Sequence, residues 1–226
     1  MGVTWLRIAL HACALTVLTA VPDGEAASAP VCAYLGATEN FNEIAYCVSS
    51  VLPSSGSNTY GPENLFDGSA ATAWCEGARG SGAGQTISLR IDNGGPFRRI
   101  FIENGYQKNR DIFERNARPR TIEVTTDTGL KFRHVLEDSD GENMFDLPEP
   151  GEYRAVDIRV LDVYPGSRYE DMCISTLLVD FDYEKYLEYE GKAGQQDDED
   201  VEQNDTPRIP AEPVPQAEPL PDLPKL

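Results

Sequence analysis

Two residues apart in a glycine-rich stretch, Trp74 and Glu76 pair a flat apolar face with a hydrogen-bonding carboxylate, the combination a sugar ring requires. The competing reading is that Trp74 is core, because large aromatics are usually mostly buried. A second concentration lies in residues 104–118. Asn104, Tyr106, Lys108, Asn116 and Arg118 put donors, an acceptor and an aromatic on one long loop. Such groups can converge on a polar ligand, or they can satisfy the loop's own backbone, as Asn and Arg side chains often do. Catalytic chemistry has less to work with. His134 shares a period-two face with Phe132 and Leu136 and has no nucleophile motif, so it reads as a half-buried structural histidine rather than a general base. No G-x-S-x-G or H-E-x-x-H occurs, and the glycines of residues 77–84 lack the lysine and following helix of a phosphate-binding loop. A carboxylate-pair glycosidase is the enzymatic alternative. Its acids, however, are what composition supplies: 38 acidic against 19 basic residues, a net charge of −19. That acidity excludes nucleic acid as a partner, because phosphate binding needs concentrated Lys and Arg.

The elements that must position these residues are strands. Residues 86–91 alternate Ile87, Leu89 and Ile91 against polar neighbours. Residues 99–103 and 121–126 do the same, and Asp127-Thr128-Gly129 supplies a turn into residues 131–137. Residues 155–163 and 174–181 are apolar enough on both faces to be central strands. No amphipathic helix of ten or more residues is expected. Short strands punctuated by Gly, Pro, Asn and Asp read as an all-β sandwich, with function on the loops at one end. The long loops expected are residues 54–84, 105–119, 139–152 and 164–172.

Both ends of the chain differ from this middle. Behind the single basic Arg7, residues 8–21 run mostly apolar, the length of an export signal and too short to span a bilayer comfortably. Small residues follow, so cleavage near Ala27 is expected. Cys13 leaves with the signal, and Cys32, Cys47, Cys75 and Cys173 remain. Export makes disulfides the better use of them. Sequence does not choose among the three pairings; the preferred one is Cys32–Cys47 with Cys75–Cys173. From residue 184 the chain holds twelve acidic and four basic residues and seven of its sixteen prolines, with a P-x-x-P-x-x-P-x-P rhythm over residues 207–215. Such composition gives a disordered, extended spacer, or else a proline-rich ligand for a partner protein. The expected organisation is residues 1–29 signal, 30–47 a disulfide-containing segment, 48–183 the β domain and 184–226 the tail.

Three further segments carry a family resemblance. They are YGPENLFDGSAATAWCEGARGSGAGQTISL (residues 60–89), IENGYQKNRDIFERNARPRTIEV (102–124) and LDVYPGSRYEDMCIS (161–175). The Asn-Leu-x-Asp-Gly turn, the Thr-Ala-Trp and the glycine-rich approach to a strand resemble discoidin-like domains, the coagulation factor V/VIII type C modules with a galactose-binding-like jelly roll. The later segments are similar to the bacterial subgroup named for the glycan-binding, translocation domain of NAD glycohydrolase. The resemblance covers roughly residues 48–182. It implies a jelly-roll β-sandwich that binds carbohydrate or a cell surface without catalysis, and it does not imply NAD cleavage. It also implies a structural calcium held by oxygens of the early turn, here Asp67, Asn64 and Thr72 or Ser69. The closing carboxylate of the related pattern is replaced by Thr176, which weakens such a site unless Asp171 or water substitutes. Asp67 capping its own turn is the plainer reading.

The expected function is an exported, periplasmic or extracellular binding protein, not an enzyme, that recognises glycan or another cell-surface ligand. The alternative is an adaptor whose tail binds a partner.

Overall fold

The computed structural model describes residue 2, residues 29–185, and residues 187 and 188. The expected signal segment and the acidic, proline-rich tail lie almost wholly outside the described residues.

Among the described residues, ten strands form two antiparallel sheets. The first, of six strands, has the order β1 (Val31–Leu35), β2 (Glu43–Val48), β4 (Thr86–Asp92), β9 (Ala155–Tyr164), β6 (Arg118–Thr126) and β7 (Lys131–Val135). The second is β3 (Trp74–Cys75), β10 (Cys173–Asp180), β5 (Phe97–Asn104) and β8 (Glu142–Gly151). One six-residue helix, α1 (Arg110–Arg115), interrupts the loop after β5, and a 3-10 helix covers Pro62–Leu65. The architecture is an all-β jelly-roll sandwich.

Period-two alternation builds it. Ile87, Leu89 and Ile91 of β4 point inward with Ile122 and Val124 of β6 and Val156, Ile158 and Val160 of β9. From the facing sheet Ile100, Ile102, Phe145, Leu147, Ile174 and Leu177 meet them in one core. β9 and β10 are interior strands; β10 is buried or half-buried along both faces, whereas the face of β9 turned away from the core carries Asp157 and Arg159.

Two expectations need correction. The boundary at residue 48 falls inside the larger sheet: β2 pairs with β4 over six residues, and its Ile44, Tyr46 and Val48 are core. Residues 30–47 therefore belong to the domain, and the first disulfide lies within its sheet. Residues 139–152 are not a loop but mostly β8, whose Asn143, Phe145 and Leu147 alternate inward. Its prolines, Pro148 and Pro150, are tolerated because β8 is an edge strand.

Both disulfides join residues directly opposite one another. Cys32 pairs with Cys47 across β1–β2, and Cys75 with Cys173 across β3–β10. They are the two preferred pairings. Among the described residues no helix is long and apolar enough to cross a membrane.

Candidate binding site

At the end of the sandwich where β10 begins and β3 and β5 end, the loops enclose a cleft of about 640 Å³. Its walls include Leu52, Tyr60, Tyr106, Lys108, Tyr169 and Asp171. Three of the expected loops meet here. Residues 54–84 supply Tyr60 and Cys75, residues 105–119 supply Tyr106 to Asn116, and residues 164–172 supply Tyr169 and Asp171.

Local chemistry explains how the chain arrives. β5 turns at Gly105 with φ +81, and a Cβ there would meet the Phe113 ring at 2.9 Å. Only glycine fits. Tyr106 is thereby turned toward β3, where its hydroxyl donates to the Ala71 carbonyl at 3.1 Å and its ring meets Tyr60. Asn109 caps α1 by accepting from the Ile112 amide at 3.0 Å. That cap explains a helix shorter than any periodicity would reveal. The segment before β10 is pinned through Ala117, whose amide donates to Asp171 and whose carbonyl accepts from Cys173, each at 3.1 Å.

The sequence-expected contacts divide. Tyr106, Lys108 and Asn116 line the cleft. Lys108 is exposed, whereas Asn116 spends its amide on the Ile112 carbonyl at 2.9 Å. Trp74 does not line it: the side chain is 0% exposed, and its indole N–H donates to the Ser50 carbonyl at 2.9 Å. A tryptophan on a central-facing β3 position completes the core instead. Glu76 is also fully buried, its amide donating to the Met172 carbonyl and its Oε2 accepting from the Ala78 amide at 2.7 Å. Its Oε1 has no hydrogen-bond partner among the described residues, and burial pushes its pKa up. Asn104 is buried and donates to the carbonyls of Pro119 and Glu137. Arg118 grips Asp138 through Nε and Nη2 and lies 4.5 Å over the Phe113 ring. These four residues hold the loops in place and do not reach the cleft. In each case a buried polar side chain satisfies backbone or carboxylate groups that the irregular chain leaves open.

At the early turn, Asp67 accepts from the Ser69 amide at 2.9 Å and from the Thr72 hydroxyl at 2.7 Å. Asn64 is buried and donates to the carbonyls of Thr59 and Ala73, both at 2.8 Å. The donor set at the turn is therefore already engaged in holding it. Among the described residues no group of three or more His, Cys, Asp or Glu side chains gathers as a metal would need. His134 is half-buried, stacked on Phe145 with centroids 5.3 Å apart, and burial lowers its pKa.

Sequence reasoning missed Tyr60, Tyr169 and Asp171 as lining residues. Tyr169 is 38% exposed, one of few large apolar surfaces left open. An aromatic in the Tyr-Pro-Gly-Ser-Arg-Tyr loop was the available signal.

Two antiparallel sheets with a loop-built cleft at one end define a discoidin-like, galactose-binding-like domain. The chain belongs to the family of the NAD glycohydrolase translocation F5/8 type C domain, whose model matches residues 38–180. Among solved structures it is similar to the family 32 carbohydrate-binding module of Clostridium perfringens NanJ in complex with galactose. That likeness has 16% identity and a TM-score of 0.42, and covers 60% of this chain and 92% of that one. A family 32 module of a GH31 protein bound to GalNAc matches at 11% identity and TM-score 0.42, over 67% of this chain and 98% of that one. The mycobacterial arabinofuranosyltransferase AftD matches at 18% identity and TM-score 0.45, over 66% of this chain and 11% of that one. This chain thus spans about a tenth of the transferase. No curated protein matches it.

Proposed function

We infer that this is an exported, non-catalytic module that binds glycan in the cleft at its loop end. The observation that carries the reading is the cleft itself: an aromatic wall beside polar side chains with nothing yet to bind. Asn58, Lys108 and Asp171 line it, and their side chains make no hydrogen bond among the described residues. A sugar presents an apolar C–H face and a rim of hydroxyls, so an open tyrosine ring and free polar groups suit it together. Family membership and the two disulfides support the reading, the latter because such bonds persist in oxidising compartments. The apolar stretch of residues 8–21 supports export in the same direction.

Absence of catalysis is part of the proposal. Asp171 is the single carboxylate among the lining residues, and Glu76 lies buried behind the wall. A glycosidase of the common kind needs two carboxyl groups flanking one bond. The described chain leaves the sandwich at the opposite pole, where Arg99 lies 3.5 Å over the Tyr183 ring and Arg98 pairs with Glu184 at 2.8 Å. Residues 183–185 therefore leave the cleft uncovered, which suits the tail as a spacer.

The test is a glycan array followed by calorimetry on the full chain and on Y169A, with calcium and with chelator. Saturable binding that Y169A loses supports the reading, and any difference between the two buffers tests a cation at the Asp67 turn. No ligand in either buffer, or binding untouched by Y169A, overturns it.

A further inference from the structure

The charged groups around the cleft are sorted in an informative way. Arg110, Arg115 and Arg118 share a loop with Lys108, and each is committed. Arg110 pairs with Glu114 and Asp140, Arg115 with Asp111 and Arg118 with Asp138. Lys108 has no acidic partner among the described residues, in a chain with 38 acidic side chains to 19 basic. A second cation stands beside the wall: the Arg168 guanidinium lies 5.2 Å from the centroid of the Tyr169 ring, with no carboxylate partner among the described residues. The cleft's own acid, Asp171, keeps its carboxylate free of hydrogen bonds among the same residues.

We propose that the cleft selects anionic sugars, with Lys108 taking a carboxylate or sulfate on the ring and Asp171 accepting from the ring hydroxyls. The proposal rests on the glycan reading above and adds the charge of the ligand. A hydroxyl donates to a carboxylate whatever the sugar, so Asp171 gives general sugar recognition. An ammonium discriminates, because a charge-assisted hydrogen bond to an anion is roughly twice as strong as a neutral one. Leu52, Pro53 and Tyr60 line the same cleft and give the ring an apolar surface beside that contact. The net charge of −19 works against any anion at long range. A measured preference for an acidic sugar must therefore come from the cleft and not from the overall field.

The experiment is calorimetry of the full chain against methyl galactoside, glucoside and mannoside, each beside its 6-carboxylate and 6-sulfate. The methyl glycoside of N-acetylneuraminic acid completes the panel. The expected result is that an acidic member binds about tenfold more tightly than its neutral counterpart, the step that one charge-assisted contact supplies. The preference is kept in K108R and lost in K108Q. Binding of carboxylates but not sulfates, or of both, identifies which anion the site takes. Thermal unfolding of K108Q, expected to be unchanged at an exposed position, separates lost recognition from lost fold. Equal or tighter binding of the neutral sugars, or a preference that survives K108Q, overturns the proposal and leaves the glycan reading standing. Binding of nothing in the panel overturns both.

Discussion

Tyr60 and Tyr106 meet edge to face, with ring centroids 6.5 Å apart and planes at 87°. Tyr106 is 7% exposed and its hydroxyl is spent on the Ala71 carbonyl, so it builds the cleft wall. Tyr169 has the opposite character, an open ring in a loop. Y106F should cost about 1 kcal/mol of stability, one neutral hydrogen bond, and Y106A about 3 kcal/mol through the cavity it leaves. Y169A should stay within about 0.5 kcal/mol of the parent in urea unfolding. It should nonetheless weaken glycan binding about tenfold, as truncation of an anchoring aromatic does. Loss of stability in Y169A without loss of binding would reverse the two roles.

The two disulfides should be unequal. Cys32–Cys47 closes a separation of 15 residues and Cys75–Cys173 one of 98. Chain entropy alone gives about 3 kcal/mol for the short loop and about 4.7 kcal/mol for the long one. C75A/C173A should therefore lower the urea midpoint more than C32A/C47A. The long-range bridge also packs with Ala73 and Tyr106 in the cleft wall, which Cys75 itself lines, so C75A/C173A should weaken ligand binding. C32A/C47A, in a hairpin at the sheet's edge, should not. Equal losses of binding would show that the effect is global.

What the sequence disclosed followed from how each signal arises. Alternation in β4, β6 and β9 was legible because one face of each is buried and the period is two. β8 was hidden by its glycine and prolines, which read as loop chemistry but sit on a sheet edge. β2 is hard to read because Ala45 and Cys47, between Ile44, Tyr46 and Val48, are themselves apolar and blur the alternation. The cleft was only partly legible. Tyr106, Lys108 and Asn116 line it, whereas Trp74, Glu76, Asn104 and Arg118 do not, and the residue types of these four serve ligands and loops equally well. Only burial distinguishes those uses, and burial depends on contacts far apart in sequence, such as Arg118 with Asp138 and Trp74 with Ser50.

Thr176 sits opposite Glu103 in the β10–β5 register, and its hydroxyl donates to the Glu103 carboxylate at 2.6 Å. Thr176 is 5% exposed. T176V keeps the shape and removes the donor, leaving a carboxylate oxygen without it. The expected cost is about 1.5–3 kcal/mol, the range for hydrogen bonds to charged groups. T176S, which restores the hydroxyl, should recover most of it. Chemical denaturation of the pair decides; equal stability of T176V and parent would show that the bond contributes nothing net.

The last prediction concerns pH. Glu76 is buried with one oxygen unpartnered, and burial pushes its pKa above the ordinary glutamate value, while the amides of Ala78 and Met172 pull the other way and Asp171 adds to the rise. Below the usual glutamate range both folded and unfolded chains hold the proton, so Glu76 costs nothing. As pH rises through that range the unfolded chain ionises first, and stability falls until pH passes the raised folded value. Above it the loss is constant. E76Q has no charge to bury and can still accept from the Ala78 amide, so it should remove this part of the slope and be the more stable protein at neutral pH. The loop over Glu76 should respond as well, because a Cβ at Gly82 would come within 3.3 Å of Oε1 and 2.5 Å of the Met172 Cβ. Amide exchange in residues 77–84 should therefore quicken with pH in the parent beyond the intrinsic chemical rate, and should not in E76Q. A parent and variant with parallel stability–pH curves would show that Glu76 ionises in the fold without penalty, and that the carboxylate is solvated from a side the packing does not close.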